Sequence, residues 1–274
     1  MTATDLLAPF DLTGRVALVT GGTGGIGRAC VERLQAYGAT VALTCVDGVE
    51  DPAAVLGAFD GPQGLTAHAL DLRDVASIRR CIASVLDAHG RIDMLVNNAA
   101  VGSATVANWS GDADEQDSLM LAINADGTLK MCREFLDAPG GPERKLINIS
   151  SVGGGITAFP GFRLSDGMSK AAVAFLTRQL AAETVHGDVD VFAVCPGATD
   201  TPMFQASTLS KLGSGERTAF LARLPKGRLI ELREIAAIVH FLASPSARVL
   251  HGAILDASMG LGVRPGLMSE YGGH

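Results

Sequence analysis

The run Thr20-Gly21-Gly22-Thr23-Gly24-Gly25-Ile26-Gly27 has the plainest chemistry in the chain. The apolar run Val16–Thr20 precedes it, and the apolar-periodic stretch Ile26–Tyr37 follows it. In a strand–turn–helix unit, glycines let the backbone turn tightly and come close to a ligand. The helix N-terminus then points unpaired N–H groups at that ligand. The pattern suits a dinucleotide pyrophosphate; a purely structural turn is the other reading. The cysteines Cys30, Cys45, Cys81, Cys132 and Cys195 are far apart and form no C-x-x-C pair. They read as buried thiols of a reducing compartment. The six histidines show no paired ligand spacing, so no metal is expected.

The elements that must position this turn alternate. Strands are predicted at Val16–Thr20, Thr40–Thr44, Met94–Asn97, Leu146–Ser150, Val189–Cys195 and Ala253–Leu255. Helices are predicted at Ile26–Tyr37, Val75–Ala88, Glu115–Leu136, Ser169–Val185 and Glu231–Ala243. Apolar strands alternating with helices imply an α/β fold: a doubly wound parallel sheet with helices on both faces. Residues 1–274 read as one domain with a core of about 11–262, a short N-terminal arm and a C-terminal tail. Two stretches read as irregular, Val152–Ser165 and Met203–Gly227. The second is a candidate substrate lid.

Composition narrows the class. Of 274 residues, 47 % are hydrophobic and 19 % charged, which excludes a disordered polyelectrolyte. A net charge of −7 argues against nucleic acid or an anionic membrane as partner. No apolar run reaches the length of a transmembrane helix, and the N-terminus lacks the basic region of a signal peptide. A cytoplasmic protein acting on a small molecule is expected. Glycine accounts for 33 residues, well above its usual ~7 %.

Several further motifs resemble the short-chain dehydrogenase/reductase family. TGGTGGIG is similar to its TGxxxGIG, and Asp71-Leu72 to the acidic pair that meets the adenine amino group. Asn97-Asn98-Ala99-Ala100 resembles NNAG, with Ala100 in place of the last Gly. Asn124 resembles the active-site Asn, Ser151 in NISS the catalytic Ser, and Ser169-Lys170 the SK of YxxSK. Pro196-Gly197 followed by Thr201 resembles the PG…T at the nicotinamide end. The resemblance covers about residues 11–262. It implies a Rossmann-type domain with about seven parallel strands, a bound NAD or NADP, and a homodimer or homotetramer. It also implies cofactor contacts from Gly21, Thr23, Gly25, Ile26, Gly27, Asp71, Leu72, Asn98, Ala99, Lys170, Pro196, Gly197 and Thr201.

One departure bears on the chemistry. The family places a Tyr four residues before the Lys; here Asp166 stands there. The chain has two tyrosines, Tyr37 at the end of the first helix and Tyr271 in the tail. Ser151 and Asp166 are also two residues farther apart than the family's Ser and Tyr, so an insertion in the loop is assumed. The catalytic set is then Asn124, Ser151, Asp166 and Lys170. A Tyr titrates near 10 and an Asp near 3.9. Lys170, one turn away, is expected to depress the carboxyl further, whereas desolvation would raise it.

Three readings stay open. An anionic Asp166 would favour a cationic C=N substrate. A protonated Asp166 would serve ketone chemistry. Loss of redox chemistry would leave an isomerase, cyclase, lyase or cofactor-binding scaffold. Tyr271 reaching a neighbouring subunit is a further option. Arg163 is either a substrate-carboxylate ligand or a solvated arginine. For the cofactor, Cys45 stands where NAD-using members carry Asp, and Val46 and Gly24 stand where NADP-using members carry basic residues. Asp47 lies close by and leans the choice slightly to NAD, because its charge repels a 2′-phosphate.

Overall fold

The computed structural model describes residues 10–264 and 266. Seven parallel strands form one sheet in the order β3-β2-β1-β4-β5-β6-β7. They are β1 Val16–Val19, β2 Thr40–Val46, β3 Leu65–Leu70, β4 Met94–Asn97, β5 Arg144–Ile149, β6 Val189–Pro196 and β7 Ile254–Ala257. Every residue of β1, β4 and β5 is buried, as expected of strands covered on both faces. On one face α1 (Gly25–Ala36) and α10 (Leu232–Ala243) pack with Val31, Leu34, Val239 and Leu242 against Val19 and Val194. On the other, α3 (Val75–His89), α6 (Thr128–Asp137) and α7 (Leu164–Thr184) pack with Ile78, Phe135 and Leu180 against Leu18 and Leu146.

Strand order reverses between β1 and β4. In an open α/β sheet the crevice at such a switch point, beyond the strand carboxyl ends, takes the ligand. Gly21 follows β1, and Asn98 follows β4. Asn148 lies in β5, paired with Asn97 of β4. Beneath the crevice the Asn97 side chain donates to Asn148 Oδ1 at 3.0 Å, and Asn148 donates to Thr177 Oγ1 at 3.0 Å. This buried chain of amides locks β4, β5 and α7 together, because an unpaired buried amide would cost about 1–3 kcal/mol.

Several elements differ from the sequence expectation. Strand β3 was not expected: LTAHAL breaks its apolar run with Thr66 and His68, yet it completes the sheet edge by pairing with β2. Helices α2 (Pro52–Gly57) and α4 (Ser103–Trp109) are short and carry little amphipathic signal. The single helix expected at Glu115–Leu136 is α5 (Ala113–Leu121), a π-helical turn at Ala122–Gly127 and then α6. Helix α7 starts at Leu164 rather than Ser169, so it contains Asp166. The lid stretch is mostly helical, with α8 (Pro202–Ser207) and α9 (Ser214–Arg223) joined by the Phe204–Phe220 ring contact at 6.2 Å.

Candidate active site and cofactor cleft

The glycine turn is built from both sides. Gly21 N donates to Thr44 Oγ1 at 3.0 Å, and Gly22 N donates to the Thr44 carbonyl at 3.1 Å. The Asn98 carboxamide donates to the Thr20 and Gly21 carbonyls, both at 3.0 Å. The amides of Asn98 and Ala99 donate to Thr20 Oγ1. Asn98 therefore shapes the turn; its amide is already engaged with backbone. Gly24 caps α1 with no side-chain hydrogen bond, so the first-turn amides of Gly25, Ile26 and Gly27 keep no capping partner. That arrangement fits a pyrophosphate. Thr201 closes the far side: its side chain lies 3.6 Å from where a Cβ on Gly25 would sit. Thr201 Oγ1 also accepts from Phe204 N and caps α8.

Gly27 is the tightest point of the turn. A Cβ there would run into the Gly21 carbonyl and the Asn98 amide. Gly27→Ala is expected to weaken nucleotide binding at least tenfold, read by calorimetric titration with ADP-ribose. Unchanged affinity would show that the turn can shift without cost.

Beside the turn, a cavity of about 310 Å³ is lined by Gly21, Thr23, Asp47, Glu50, Asp71, Leu72 and Ala99, among others. Asp74 caps the next helix, accepting from Ala76 N and Ser77 N, so Asp71 is not needed as its cap. The Asp71 carboxylate is held by Arg73, whose Nε and Nη2 donate at 2.9 and 2.7 Å. That hydrogen bonding lowers the Asp71 pKa. Asp47 lies at the rim, with Ser77 Oγ at 3.4 Å. Glu50 accepts from Val46 N at 2.8 Å.

At the other end of the crevice, Asn124 sits in the π-helical turn, a device often found at functional sites. Its Oδ1 accepts from Val101 N at 2.8 Å, and its Nδ2 faces Ser169 Oγ at 3.4 Å. Pro196 ends β6, and Gly197 N donates to Ala257 O at 3.3 Å. Ser151 follows β5; its hydroxyl accepts from Gly153 N at 3.2 Å. The neighbouring Ser150 hydroxyl donates to the Lys170 carbonyl at 2.8 Å. Lys170 Nζ reaches the Ile149 carbonyl at 3.4 Å. Burial lowers the lysine pKa, partly offset by Asp166 and Cys195.

Asp166 lies in the first turn of α7, four residues before Lys170. Burial raises its pKa, and this outweighs the lowering by Lys170 and Arg163. Of the two opposed effects left open by the sequence, desolvation is the larger here. The carboxyl is mostly removed from water, so its charged form loses more solvation than the cations return. The longer loop is fitted by Gly154, at φ +87°, which packs so closely on the Gly167 carbonyl that a Cβ would clash. Phe162 covers Gly153 and Gly167.

Arg163 is neither a solvated arginine nor open to a substrate. Its Nε donates to Asp117 Oδ1 at 2.7 Å and its Nη1 to Gln116 Oε1 at 2.9 Å, while Ser165 Oγ donates to Asp117 at 2.6 Å. This brace ties the altered loop to α5. Nothing in the local sequence signalled it, because its partners lie about 47 positions away. The five cysteines are buried and free, as expected. Tyr37 packs on His240 at the far end of α1, with ring centroids 3.9 Å apart. Tyr271 lies outside the described residues. Among the described residues no group of three or more His, Cys, Asp or Glu could hold a metal, and no helix is long and apolar enough to cross a membrane.

The enoyl-(acyl carrier protein) reductase family profile matches residues 21–262. The chain belongs to the short-chain dehydrogenase/reductase family. A 3-oxoacyl-(acyl-carrier-protein) reductase FabG of Vibrio harveyi is 34 % identical over 253 residues, 92 % of this chain and 99 % of that one. A 3-oxoacyl-(acyl-carrier protein) reductase of Brucella melitensis in complex with NAD superposes with a TM-score of 0.79 at 29 % identity, over 91 % of this chain and 97 % of that one. A single-substitution variant of actinorhodin polyketide ketoreductase with NADPH gives 0.80 at 30 %, over 90 % and 97 %. As a family member, this protein is an NAD(P)-dependent oxidoreductase with a single-domain Rossmann fold.

Proposed function

We propose that this short-chain dehydrogenase/reductase reduces a ketone carbonyl, with Asp166 delivering the proton that the family draws from tyrosine. The observation that carries this is the placement of a half-buried Asp166 in the first turn of α7, four residues before Lys170, where desolvation raises the carboxyl pKa. The relatives named as 3-oxoacyl reductases and ketoreductases support a 3-oxoacyl-type substrate.

A bound reduced nicotinamide supplies the hydride. Lys170, one helical turn from Asp166, would hold the ribose hydroxyls of the cofactor. Asp166 places its proton at the developing alkoxide, and Ser151 orients the carbonyl oxygen. Asn124 fixes the π-helical turn against Val101 and Ser169. Arg163 ties the loop to α5, and Phe162 packs over Gly153 and Gly167. The upward direction of the Asp166 pKa shift favours the carbonyl reading over an anionic Asp166 serving a cationic C=N substrate.

For the cofactor we favour NAD. Asp47 and Glu50 border the cavity beside the glycine turn, and the Arg73 guanidinium there is already paired with Asp71. Arg28, near the same edge, is engaged by Glu32 at 2.8 Å and stacks on Phe59. A 2′-phosphate would meet the Asp47 and Glu50 carboxylates, with the neighbouring Arg80 shared between Asp47 at 3.9 Å and Asp74 at 3.5 Å. NADH is expected to bind about tenfold more tightly than NADPH at low salt, and Asp47→Ala to narrow the gap. Equal affinities in fluorescence titrations would remove this preference.

We further propose one domain over residues 1–274, a cytoplasmic location and a homodimer or homotetramer. The exposed Leu164, Met168 and Phe175 on α7 give an oligomer an apolar face to cover. The direct test of the activity is loss of 340 nm absorbance with NADH and a 3-oxoacyl thioester. Turnover of cyclic imines but not ketones would replace the carbonyl assignment.

A further inference from the structure

We propose that Trp109 and Arg73 form the outer wall of the purine site, with the indole stacking on the adenine of the bound nucleotide. This rests on the cofactor reading above and adds residues that the family motifs do not contain. Trp109 ends α4 and is half exposed, at 50 %. It lines the 310 Å³ cavity together with Arg73, Leu72, Val46, Val49 and Ile123. A cavity of that size is at the lower end for ligand pockets, so it takes one part of a dinucleotide. Gly21 and Thr23, which also line it, belong to the phosphate turn. The apolar lining of Val46, Val49, Leu72, Trp109 and Ile123 is left for the base.

The Asp71–Arg73 pair shapes the chemistry of that end. Arg73 Nε and backbone N both donate to Asp71 Oδ1 at 2.9 Å, and Nη2 donates to Oδ2 at 2.7 Å. With both carboxylate oxygens already accepting, Asp71 has reduced capacity for a purine amino group. The same pairing pins the guanidinium, whose carbon lies 5.9 Å from the Trp109 ring centroid. A pinned planar cation beside an indole gives the cavity lining two flat, polarisable surfaces. Base–aromatic stacking needs only a π-face from the ligand, so it supplies the affinity that an occupied Asp71 does not.

Trp109 is the single tryptophan of the chain, so its fluorescence reports on this site alone. The full-length protein is titrated with ADP-ribose, AMP and nicotinamide mononucleotide. ADP-ribose and AMP are expected to change the indole emission at saturation, and nicotinamide mononucleotide to leave it unchanged. By calorimetry, Trp109→Ala is expected to weaken ADP-ribose binding about tenfold or more, with Trp109→Phe recovering most of the loss. Trp109 is on the surface, so folding should survive; Arg73→Gln provides a second variant, with a smaller loss. ADP-ribose binding with a silent indole, or with unchanged affinity in Trp109→Ala, overturns the stacking proposal and leaves the cofactor reading intact. No ADP-ribose binding to the unaltered protein overturns both.

Discussion

Asp166→Asn is expected to lower reductive turnover by about 10²- to 10⁴-fold, the range for loss of a positioned general acid. Nucleotide affinity should stay within about twofold, because the phosphate turn and the base cavity are lined by other residues. Asparagine keeps the size of the side chain and removes the transferable proton, so the loss separates proton delivery from packing. The measurement is single-turnover NADH oxidation with a 3-oxoacyl thioester, beside an ADP-ribose titration of the same variant. Full turnover in Asp166→Asn would move the proton to Ser151 or water. In Asp166→Tyr, ordinary ketone reduction should persist to higher pH, because a phenol titrates near 10. No activity in that variant would mean that the longer loop has moved Ser151 out of register.

The second large effect concerns stability. Lys145 of β5 is fully buried, and its Nζ donates to Asp190 Oδ2 of β6 at 2.5 Å. Removing one member of a buried pair leaves an uncompensated charge in low dielectric, at a cost of about 3–5 kcal/mol. Lys145→Met should therefore lower the Tm by on the order of 10 °C, read by thermal denaturation. Lys145→Met with Asp190→Leu should recover most of this, since well-packed apolar replacements of buried pairs are often neutral. These strands carry Ser151 and Pro196 beyond or at their carboxyl ends, so the single variant should also lose activity before it unfolds. A Tm within about 2 °C of the unaltered protein would show that water reaches Asp190.

The parts of the molecule built from local pattern were legible in the sequence. VALV followed by glycines led directly to β1, the phosphate turn and α1, because short-range propensity and helix-end chemistry decide that unit. Strand β3 was missed because its edge position relaxes the apolar pattern. The π-helical turn was missed because an extra residue in a helix leaves no mark that periodicity can separate from a continuous helix. At the site, the spacing of Asp166 and Lys170 placed both groups on one helical face. The directions of their pKa shifts come from desolvation, which is tertiary. The Arg163–Asp117–Ser165 brace is likewise a long-range contact, invisible in a pattern of neighbours. Trp109 was passed over because its meaning depends on the cavity that α4 brings it to.

The pH dependence of single-turnover ketone reduction tests the role of Asp166 most directly. The donor must be protonated to act, and desolvation raises its pKa from the ordinary carboxyl value. The rate should therefore be full on the acid side and fall as pH rises through the raised pKa, with the steepness of a single proton. That fall should be absent from the residual activity of Asp166→Asn and displaced upward in Asp166→Tyr. The same limb persisting in Asp166→Asn, or a native rate that stays flat between about pH 4 and pH 9, would contradict the assignment.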